Sequence, residues 1–283
     1  MEWVFLNGRF VERGEAAVPA LDRGLLYGYG LFETMRSYGG RVFRLEEHYR
    51  RLVEGAAVLD LPPAFTLDDL RVAVDALLES NGLADAYLRL TVTAGPTPDD
   101  GGASPSVLLV ARPLSGYPPD LYQRGMAAVT STTRRNEASP LSRVKSLNYL
   151  DNLLAREEAR RRGADEAILL NTRGLVAEGS ASNVFLVSSE GLLTPSIESG
   201  ALPGITRATV IELAREAGIA CLEDEIEAAT FAGAAEAFLT NSIMEVMPLT
   251  RIDGRAVGGG GPGPTTMAIS RLYDQAVARE TAR

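Results

Sequence analysis

The sequence of 283 residues has very little of the two residue types that most often build disulfides and transition-metal sites. It contains one cysteine, Cys221, and one histidine, His48. A single cysteine excludes an intrachain disulfide, which agrees with a reducing cytoplasm. A transition metal would lack its usual ligands, so no metal site is predicted. His48 is the only candidate base for a histidine triad, and its place among charged neighbours in a helical pattern argues against that role.

Long apolar runs and an excess of positive charge are also absent. No stretch approaches the roughly 20 apolar residues that cross a bilayer. The N-terminal residues have neither the basic start nor the apolar run of a secretion signal. The net charge of -9 argues against a general nucleic-acid binder, because phosphate backbones are held by clustered lysine and arginine. We therefore expect a soluble cytoplasmic protein without nucleic-acid or membrane partners, whose chemistry depends on an organic cofactor.

The hydrophobic patterns predict an α+β protein. Asn7-Gly8 and Gly39-Gly40 each lie between strand patterns and predict two β-hairpins. Apolar residues at helical spacing predict helices over residues 45–59, 67–78, 147–162, 204–218 and 227–233. Further strands are predicted over residues 87–94, 107–111, 126–131, 166–171, 183–187 and 237–240.

A stretch rich in glycine and proline at residues 115–120 predicts an interdomain linker. It separates a small N-terminal α+β domain, residues 1–114, from a larger C-terminal domain, residues 121–283. The larger domain is predicted to have a mainly β core flanked by helices. A glycine-rich loop at residues 258–264 precedes a C-terminal helix.

Lys145 is the first candidate for chemistry. It lies in a polar loop between apolar residues, just before a helical pattern. A lysine that is partly desolvated loses its proton more readily and can form a Schiff base. An ordinary surface lysine in a basic loop is the alternative interpretation.

Glu178 follows about thirty residues later, among small residues and in front of a strand pattern. Pyridoxal chemistry needs a carboxylate beside the ring nitrogen, because the protonated ring is the electron sink for the substrate's α-carbon. Glu178 can supply that carboxylate. The alternative is an exposed turn residue.

Two segments could bind a phosphate group. Leu202-Pro203-Gly204-Ile205-Thr206 opens a helix, and the N–H groups of a first helical turn bind phosphate readily. Simple helix capping by Thr206 is the alternative. Thr240-Asn241-Ser242 ends a strand pattern and carries hydroxyl groups, although such clusters usually form turns.

The order of these segments along the chain and their amino-acid sequences resemble those of the fold type IV pyridoxal-phosphate enzymes. That family holds branched-chain aminotransferases, D-amino-acid aminotransferases and 4-amino-4-deoxychorismate lyases. The resemblance begins at Leu21-Asp22-Arg23-Gly24 and extends to Glu245-Val246-Met247-Pro248. It implies a two-domain α+β fold, pyridoxal 5'-phosphate as cofactor, and a homodimer in which the neighbouring subunit completes the substrate pocket.

The resemblance also implies roles for individual residues. Lys145 looks like the catalytic Schiff-base lysine, and Glu178 looks like the partner of the ring nitrogen. Tyr149 matches the tyrosine that hydrogen-bonds the cofactor's phenolic oxygen. The residues that match phosphate contacts are Arg51, Ile205, Thr206 and Ser242, and Leu202 matches the residue packed against the ring. For Arg51, a solvated helix face is the alternative.

Tyr87-Leu88-Arg89 resembles the Tyr-x-Arg pattern of branched-chain aminotransferases, in which the arginine helps recognise a substrate carboxylate. The donor fork of a guanidinium binds a carboxylate in a bidentate way. Alternatively, Arg89 faces solvent and Arg36 or Arg135 takes the carboxylate. The predicted substrate-binding residues are Tyr27, Tyr87, Arg89 and Asn241.

The resemblance favours amino transfer from a small amino acid to a 2-oxo acid through a Schiff base on Lys145. The lyase reaction, which releases pyruvate and 4-aminobenzoate, is the alternative, because Thr240-Asn241-Ser242 lacks the Gly-Thr step of branched-chain enzymes. Arg89 is followed by Leu90-Thr91, so the Arg-x-His pair of D-amino-acid aminotransferases is absent. A non-catalytic binding protein that kept the fold is a third interpretation.

Overall fold

The structure, a computed structural model, describes residues 2–62, 64–100 and 104–282. The chain forms two compact units. The first contains Met1–Ser115, Val144–Asn148 and Val277–Arg283, and the second contains Gly116–Arg143 and Tyr149–Ala276. The outer ends of the predicted domains, residues 1 and 283, lie outside the described residues. The units differ from those domains in two segments, Val144–Asn148 and Val277–Arg283, which belong to the first unit.

The first unit is built on an antiparallel sheet. Its strands, in the described part of the chain, are β1 (Trp3–Leu6), β2 (Arg9–Glu12), β3 (Gly30–Tyr38), β4 (Arg41–Val42), β5 (Ala86–Thr93) and β6 (Val107–Pro113), in the order β2-β1-β6-β5-β3-β4. Both predicted hairpins are confirmed, since β1 pairs with β2 and β3 pairs with β4. Asn7 and Gly8 have positive φ angles of 50° and 84°, as a tight hairpin turn requires.

The helices of the first unit are α1 (Arg23–Tyr27), α2 (Leu45–Val58) and α3 (Leu67–Ser80). Thr66 and Asp69 form a capping box that starts α3. Because side chains alternate along a strand, Leu31, Glu33 and Met35 share one face of β3, and Phe32 lies on the other. Side chains of α2 contact Glu33, so this helix packs on the first face.

The second unit contains a mixed sheet. Its described strands are β7 (Met126–Arg135), β8 (Glu166–Asn171), β9 (Val176–Gly179), β10 (Asn183–Ser188), β11 (Gly191–Pro195), β12 (Cys221–Asp224), β13 (Glu236–Asn241), β14 (Glu245–Ile252) and β15 (Arg255–Ala256). The order is β12-β11-β10-β13-β14-β7-β8-β9, and β15 pairs with β14. The remaining helices are α4 (Pro119–Arg124), α5 (Leu150–Arg161), α6 (Ile205–Glu216), α7 (Ala228–Ala232) and α8 (Pro264–Thr281).

The core of the second unit lies in this sheet. Every residue of β8 is buried, which is typical of a strand covered on both faces. Phe185 of β10 and Phe238 of β13 stack with ring centroids 4.8 Å apart. No helix in the described ranges is both long enough and apolar enough to cross a membrane.

The predicted helix over residues 147–162 begins later than expected, at Leu150. The preceding residues pair with β3 instead: Phe32 N donates to Lys145 O, and Leu147 N donates to Gly30 O, both at 2.9 Å. Gly30 permits this close approach, because a Cβ there would lie 2.8 Å from Leu147 Cδ1, and also 2.4 Å from Val92 O of β5. Backbone hydrogen bonding to β3 therefore holds the segment around Lys145 in the first unit.

Candidate active site

Lys145 lies beside Phe32 on one face of the first unit's sheet. The bridge between Leu31 and Ser146 places Lys145 opposite Phe32 in an antiparallel register. The amine Nζ is 4.6 Å from the centroid of the Phe32 ring, which is 3% exposed. Lys145 is also the only lysine among the chain's 28 basic residues. Its side chain therefore supplies the chain's only ε-amine.

Arg89 shares the face that carries Phe32. It lies opposite Thr34 in the pairing of β5 with β3, and its guanidinium carbon is 4.0 Å from the Phe32 ring centroid. A cation over an aromatic face is attracted by the ring quadrupole. Arg89 is half-buried. The structure thus brings Lys145 and Arg89 to one aromatic ring.

Two other residues considered for substrate binding lie further along the same strands. Arg36 is opposite Tyr87 in the register, and its guanidinium carbon is 4.3 Å from the Tyr38 ring centroid. The ring of Tyr87 is covered by Arg112, whose guanidinium carbon is 4.2 Å from its centroid. Tyr87 and Arg36 therefore lie on the same sheet face as Arg89. Each has its own cation–π contact, Tyr87 with Arg112 and Arg36 with Tyr38.

Arg51 lies on the opposite face, in a buried network with Glu33 and His48. Its Nε and Nη2 donate to the two oxygens of Glu33 at 2.9 and 2.5 Å. His48 Nδ1 is 2.7 Å from Glu33 Oε2. Arg51 is 9% exposed and His48 is 2% exposed. The interpretation of Arg51 as part of a solvated helix face is therefore wrong.

The ionisation of this network follows from burial and charge. Burial alone would raise the pKa of Glu33, but Arg51 and His48 outweigh it and lower the pKa to about 2. Burial lowers the pKa of His48, although Glu33 acts in the opposite direction. The imidazole is therefore neutral, and its Nδ1–H donates to the ionised carboxylate.

Glu178 occupies β9, a strand that the sequence patterns did not predict, opposite Leu169 of β8. The carboxylate is 5% exposed. Its Oε1 lies 3.2 Å from Nε of Arg135, and its Oε2 accepts a hydrogen bond from Leu202 N at 2.9 Å. The interpretation of Glu178 as an exposed turn residue is wrong. These contacts stabilise a buried, negatively charged carboxylate.

Tyr149 lies near this carboxylate within the second unit. Its hydroxyl donates to Ser180 O at 2.9 Å, and Asn152 Nδ2 donates to the same oxygen. Burial, together with the charges of Glu178 and Glu166, raises the pKa of Tyr149. Tyr149 is therefore a neutral hydrogen-bond donor at ordinary pH.

The turn that carries Ser180 is held by Glu166. This buried carboxylate accepts hydrogen bonds from Ser180 Oγ and from Ser182 Oγ, the second at 2.9 Å. The backbone N–H of Ala167 donates to it at 2.8 Å. Glu166 thereby fixes the chain that follows Glu178. The sequence offered one signal for this turn, the two serines that follow Glu178, but serines also occur in ordinary turns.

The N-terminus of α6 has the features of an anion site. Gly204 is the N-cap, and no side chain caps the helix, so the interpretation of Thr206 as a simple cap is wrong. The first-turn N–H groups of Ile205 and Thr206 have no intrahelical partners. Asn183 Nδ2 donates to Leu202 O at 2.9 Å and fixes the chain before the helix. A Cβ on Gly204 would lie 1.9 Å from Asn183 Oδ1.

Asn241, Ser242 and Tyr27 occupy simpler positions. Asn241 Oδ1 accepts from the N–H groups of Ile243 and Met244, and its Nδ2 donates to Ala181 O. Asn241 therefore shapes the turn in which half-buried Ser242 lies. Tyr27 ends α1 and is 71% exposed.

Each unit carries groups of the kinds that pyridoxal 5'-phosphate needs. The first unit supplies an amine, Lys145, beside a buried aromatic ring. The second supplies a buried carboxylate, Glu178, and an uncapped helix N-terminus at Gly204. An amine for a carbonyl, a carboxylate for a ring nitrogen and N–H groups for a phosphate are the groups that this cofactor needs.

Known proteins resemble this chain in both sequence and fold. A profile of the family described as amino-transferase class IV matches residues 30–252. D-alanine aminotransferase of Bacillus licheniformis is 34% identical over 284 residues, which cover 99% of each chain. The structure of Escherichia coli branched-chain amino acid aminotransferase superposes with a TM-score of 0.93 at 32% identity, covering 99% of this chain and 96% of that one. The branched-chain enzyme of Thermobaculum terrenum, in its PLP-bound holo form, gives a TM-score of 0.87 at 32% identity, covering 98% and 94%.

Proposed function

The chain belongs to the class IV aminotransferases, and we propose that it moves the amino group of branched-chain L-amino acids to 2-oxoglutarate. As a member of this family it is a pyridoxal-phosphate-dependent transaminase. The lyase alternative is not favoured, because the relative and the structural neighbours described above are aminotransferases. The absence of an Arg-x-His pair at Arg89-Leu90-Thr91 supports L- over D-amino acids.

The shared contact of Lys145 and Arg89 with the Phe32 ring carries this proposal. A branched-chain amino acid has an acidic α-hydrogen, a carboxylate and an aliphatic side chain. An amine can take the α-proton, and a guanidinium can bind the carboxylate. Phe32, which is 3% exposed, holds both groups beside one buried ring. These three groups lie together on one face of the first unit.

We assign the cofactor contacts as the family resemblance implies. Lys145 holds the cofactor covalently, and Glu178 holds a proton at its ring nitrogen. Leu202 packs against the ring. The cofactor's phosphate accepts hydrogen bonds from the backbone N–H groups of Ile205 and Thr206. Ser242 and Arg51 complete the phosphate contacts in this assignment.

When bound, pyridoxal phosphate supplies a protonated ring that accepts the electrons of the substrate's broken α-C–H bond. Lys145 Nζ takes the α-proton as a general base. Tyr149, kept protonated by its raised pKa, donates to the phenolic oxygen. Its hydroxyl proton is directed to Ser180 O in the structure, so this role requires the hydroxyl to rotate. Arg89 orients the substrate through its carboxylate.

A substrate panel tests the proposal. The purified enzyme receives L-leucine, L-valine, L-isoleucine or D-alanine as donor, each with 2-oxoglutarate, and the new 2-oxo acid is measured. We expect the three branched-chain L-amino acids to be used faster than D-alanine. A preference for D-alanine would contradict the proposal, as would pyruvate release from aminodeoxychorismate without any amino transfer.

We also propose that the enzyme is a homodimer. The short helix α1 exposes apolar side chains, with Leu25 at 70%, Leu26 at 48% and Tyr27 at 71% exposure. It is nevertheless firmly fixed, because buried Asp22 accepts hydrogen bonds from Gly24 N and from two hydroxyl groups. A rigid, exposed apolar patch is typical of a protein interface. In the proposed dimer, Tyr27 lies in the neighbouring subunit's substrate pocket.

Sedimentation of the purified enzyme at micromolar concentration tests the dimer. We expect the mass of two chains. A species of one chain mass that retains full transaminase activity would contradict the proposal. It would also remove the proposed role of Tyr27 in the neighbouring subunit's substrate pocket.

A cytoplasmic location is the last part of the proposal. The lone cysteine, Cys221, is half-buried, and burial raises the pKa of its thiol to about 11. Such a thiol stays protonated and unreactive. A single cysteine also forms no intrachain disulfide, as is usual for proteins of a reducing compartment. Fractionation of source cells with activity staining tests this location, and activity in a secreted fraction would contradict it.

A further inference from the structure

Arg135 is the residue that pairs with Glu178, and it has no role in the function proposed above. It ends β7, and its side chain is 17% exposed. Nε lies 3.2 Å from Glu178 Oε1 and 3.2 Å from Gly200 O. Nη2 donates to Ser142 O at 3.0 Å, and Nη1 lies 3.5 Å from Asn152 Oδ1. Of these acceptors, only the carboxylate of Glu178 carries a charge.

We infer that Arg135 is a positioning residue that acts through Glu178. Its guanidinium keeps the carboxylate ionised and oriented, so that the proton shared with the cofactor's ring nitrogen stays on the ring. The inference rests on the proposed role of Glu178 and does not depend on which amino acid is the substrate.

The physical reason is a balance between burial and charge. Glu178 is 5% exposed, and burial favours the neutral form of a carboxyl group. The positive charge of Arg135 and the hydrogen bond from Leu202 N favour the ionised form. Without the guanidinium, the buried carboxylate is a stronger base. The shared proton then moves from the ring nitrogen to the Glu178 carboxyl oxygen, and both groups become neutral.

This shift would weaken catalysis without removing any contact to the cofactor's phosphate. A neutral pyridine ring is a poorer electron sink than a protonated one. The loss of Arg135 should therefore lower kcat for the amino-donor step and leave cofactor affinity nearly unchanged. The same geometry explains why Arg135 is a poor candidate for the substrate carboxylate, since its guanidinium forms an ion pair with Glu178 and donates to Gly200 O and Ser142 O.

Arg134 offers a matched control. It is the preceding residue of the same strand, and its Nη1 donates to Ser131 O at 2.6 Å. Successive side chains of a strand point to opposite faces. Arg134→Gln thus removes one positive charge from β7 without touching the Glu178 pair.

The test uses holoenzyme reconstituted with pyridoxal 5'-phosphate labelled with ¹⁵N in the ring. The ¹⁵N chemical shift reports whether the ring nitrogen is protonated. We expect a pyridinium shift in the wild type and in Arg134→Gln, and a shift towards neutral pyridine in Arg135→Gln. Arg135→Gln should also lower kcat roughly 10-fold to 100-fold with the donor that the substrate panel identifies as best.

A double-mutant cycle shows whether Arg135 acts through Glu178. In a Glu178→Gln background, Arg135→Gln should change neither the ¹⁵N shift nor kcat further, because the residue it acts on is gone. A wild-type ¹⁵N shift in Arg135→Gln would overturn the inference, as would an equal change in Arg134→Gln or an additive loss in the double variant. Arg135→Leu serves as a second variant in case Arg135→Gln misfolds. The melting temperature of each apoenzyme shows whether the variant is folded.

The proposed role of Glu178 can fail separately. If Glu178→Gln itself leaves the ring nitrogen protonated and kcat unchanged, Glu178 does not serve the ring, and the inference falls with it. If Glu178→Gln changes both but Arg135→Gln changes neither, only the role of Arg135 is wrong. A different preferred substrate affects neither result.

Discussion

The two units each contain a buried glutamate paired with an arginine, and the two pairs are built differently. In the first unit, both oxygens of Glu33 accept hydrogen bonds from Arg51, and His48 adds another. In the second, Glu178 lies near one guanidinium nitrogen of Arg135 and accepts a backbone N–H. Arg135 also donates to two backbone carbonyls, Gly200 O and Ser142 O.

The two glutamates differ in what they bind: Glu33 joins two elements of the fold, whereas Glu178 is the carboxylate that the proposed function assigns to the cofactor's ring nitrogen. Glu33 links β3 to α2 through donors of two side chains, so its charge is balanced inside the protein. Glu178 lies near one guanidinium nitrogen and accepts one backbone N–H, and in the proposed function it holds the proton at a ring nitrogen. Removing a glutamate should therefore affect stability in the first unit and catalysis in the second.

Lys145→Ala should give the largest effect on catalysis. The variant loses the covalent anchor and the proton-transfer base together, because the chain has no second lysine. Turnover should fall by roughly 10⁴-fold or more, because one acid–base group supplies up to roughly 10⁴-fold and the covalent anchor is lost as well, and a variant that keeps more than about a hundredth of the wild-type rate would be inconsistent with both losses. Circular dichroism and thermal melting should show an intact fold. A variant that keeps more activity would contradict the assignment of Lys145.

Glu33→Gln should give the largest effect on stability. It leaves the buried guanidinium of Arg51 without its counter-charge, and breaking a buried ion pair costs about 3–5 kcal/mol. Urea unfolding of the apoenzyme measures this loss. Asp68→Asn is the control, because the Arg71–Asp68 pair is exposed and should contribute at most about 1 kcal/mol. Equal losses in both variants would contradict the comparison of the two glutamates.

The pH dependence of stability checks the same network. Because the pKa of Glu33 is lowered in the folded state from 4.5 to about 2, its ionised form stabilises the fold above pH 4.5. That contribution is lost as the pH falls from 4.5 towards 2. Glu33→Gln should lose this part of the acid sensitivity, and a wild-type acid profile in the variant would show that other carboxyl groups cause it.

Glu178→Gln should weaken catalysis much more than cofactor binding. The amide cannot keep the ring nitrogen protonated, so kcat should fall roughly 10²–10³-fold, as when one preorganised electrostatic group is removed. The phosphate contacts remain, so cofactor affinity should change little. Titration of the apoenzyme with pyridoxal phosphate and steady-state kinetics measure the two effects. Equal losses in both would indicate a structural role like that of Glu33.

Arg89→Leu should give the smallest of these effects. A desolvated pairing of guanidinium with carboxylate contributes a few kcal/mol, so kcat/KM for amino acids should fall by roughly 10²-fold. Cofactor binding should hardly change. Arg36→Leu is the comparison, since Arg36 lies on the same sheet face. A crippled Arg36 variant beside an unchanged Arg89 variant would move the carboxylate site to Arg36.

The sequence predicted the parts of the fold that depend on local patterns. The turns at Asn7-Gly8 and Gly39-Gly40 and the strand over residues 166–171 are confirmed. The start of α5 was wrong by three residues, because backbone pairing with β3 overrides the helical spacing there. β9 was missed because its four residues, Val176–Gly179, are all buried and include a glutamate and a glycine, so they show no alternation of apolar and polar residues.

A residue of the candidate site was predictable from the sequence where its amino-acid type alone identified it. Lys145 could be chosen from its uniqueness alone, a stronger signal than its loop context. The pairing of Glu33 with Arg51 could not be predicted, since it joins a strand and a helix 18 residues apart. A glutamate on the same strand face as Leu31 and Met35, both 0–1% exposed, was the available signal. From the sequence, Arg135 was a candidate for binding the substrate carboxylate. Only its contact with Glu178 in the structure points to the other role, that of positioning this glutamate.

Reduction with borohydride tests the central claim most directly. The reagent converts a lysine-bound pyridoxal phosphate into a stable adduct, which peptide mass spectrometry can locate. Lys145 is the only lysine, so the adduct should lie on the peptide that contains it, and the visible absorbance of the holoenzyme should disappear on reduction. A reduced holoenzyme with an unmodified Lys145 peptide, or with the adduct on the N-terminal amine, would contradict the account.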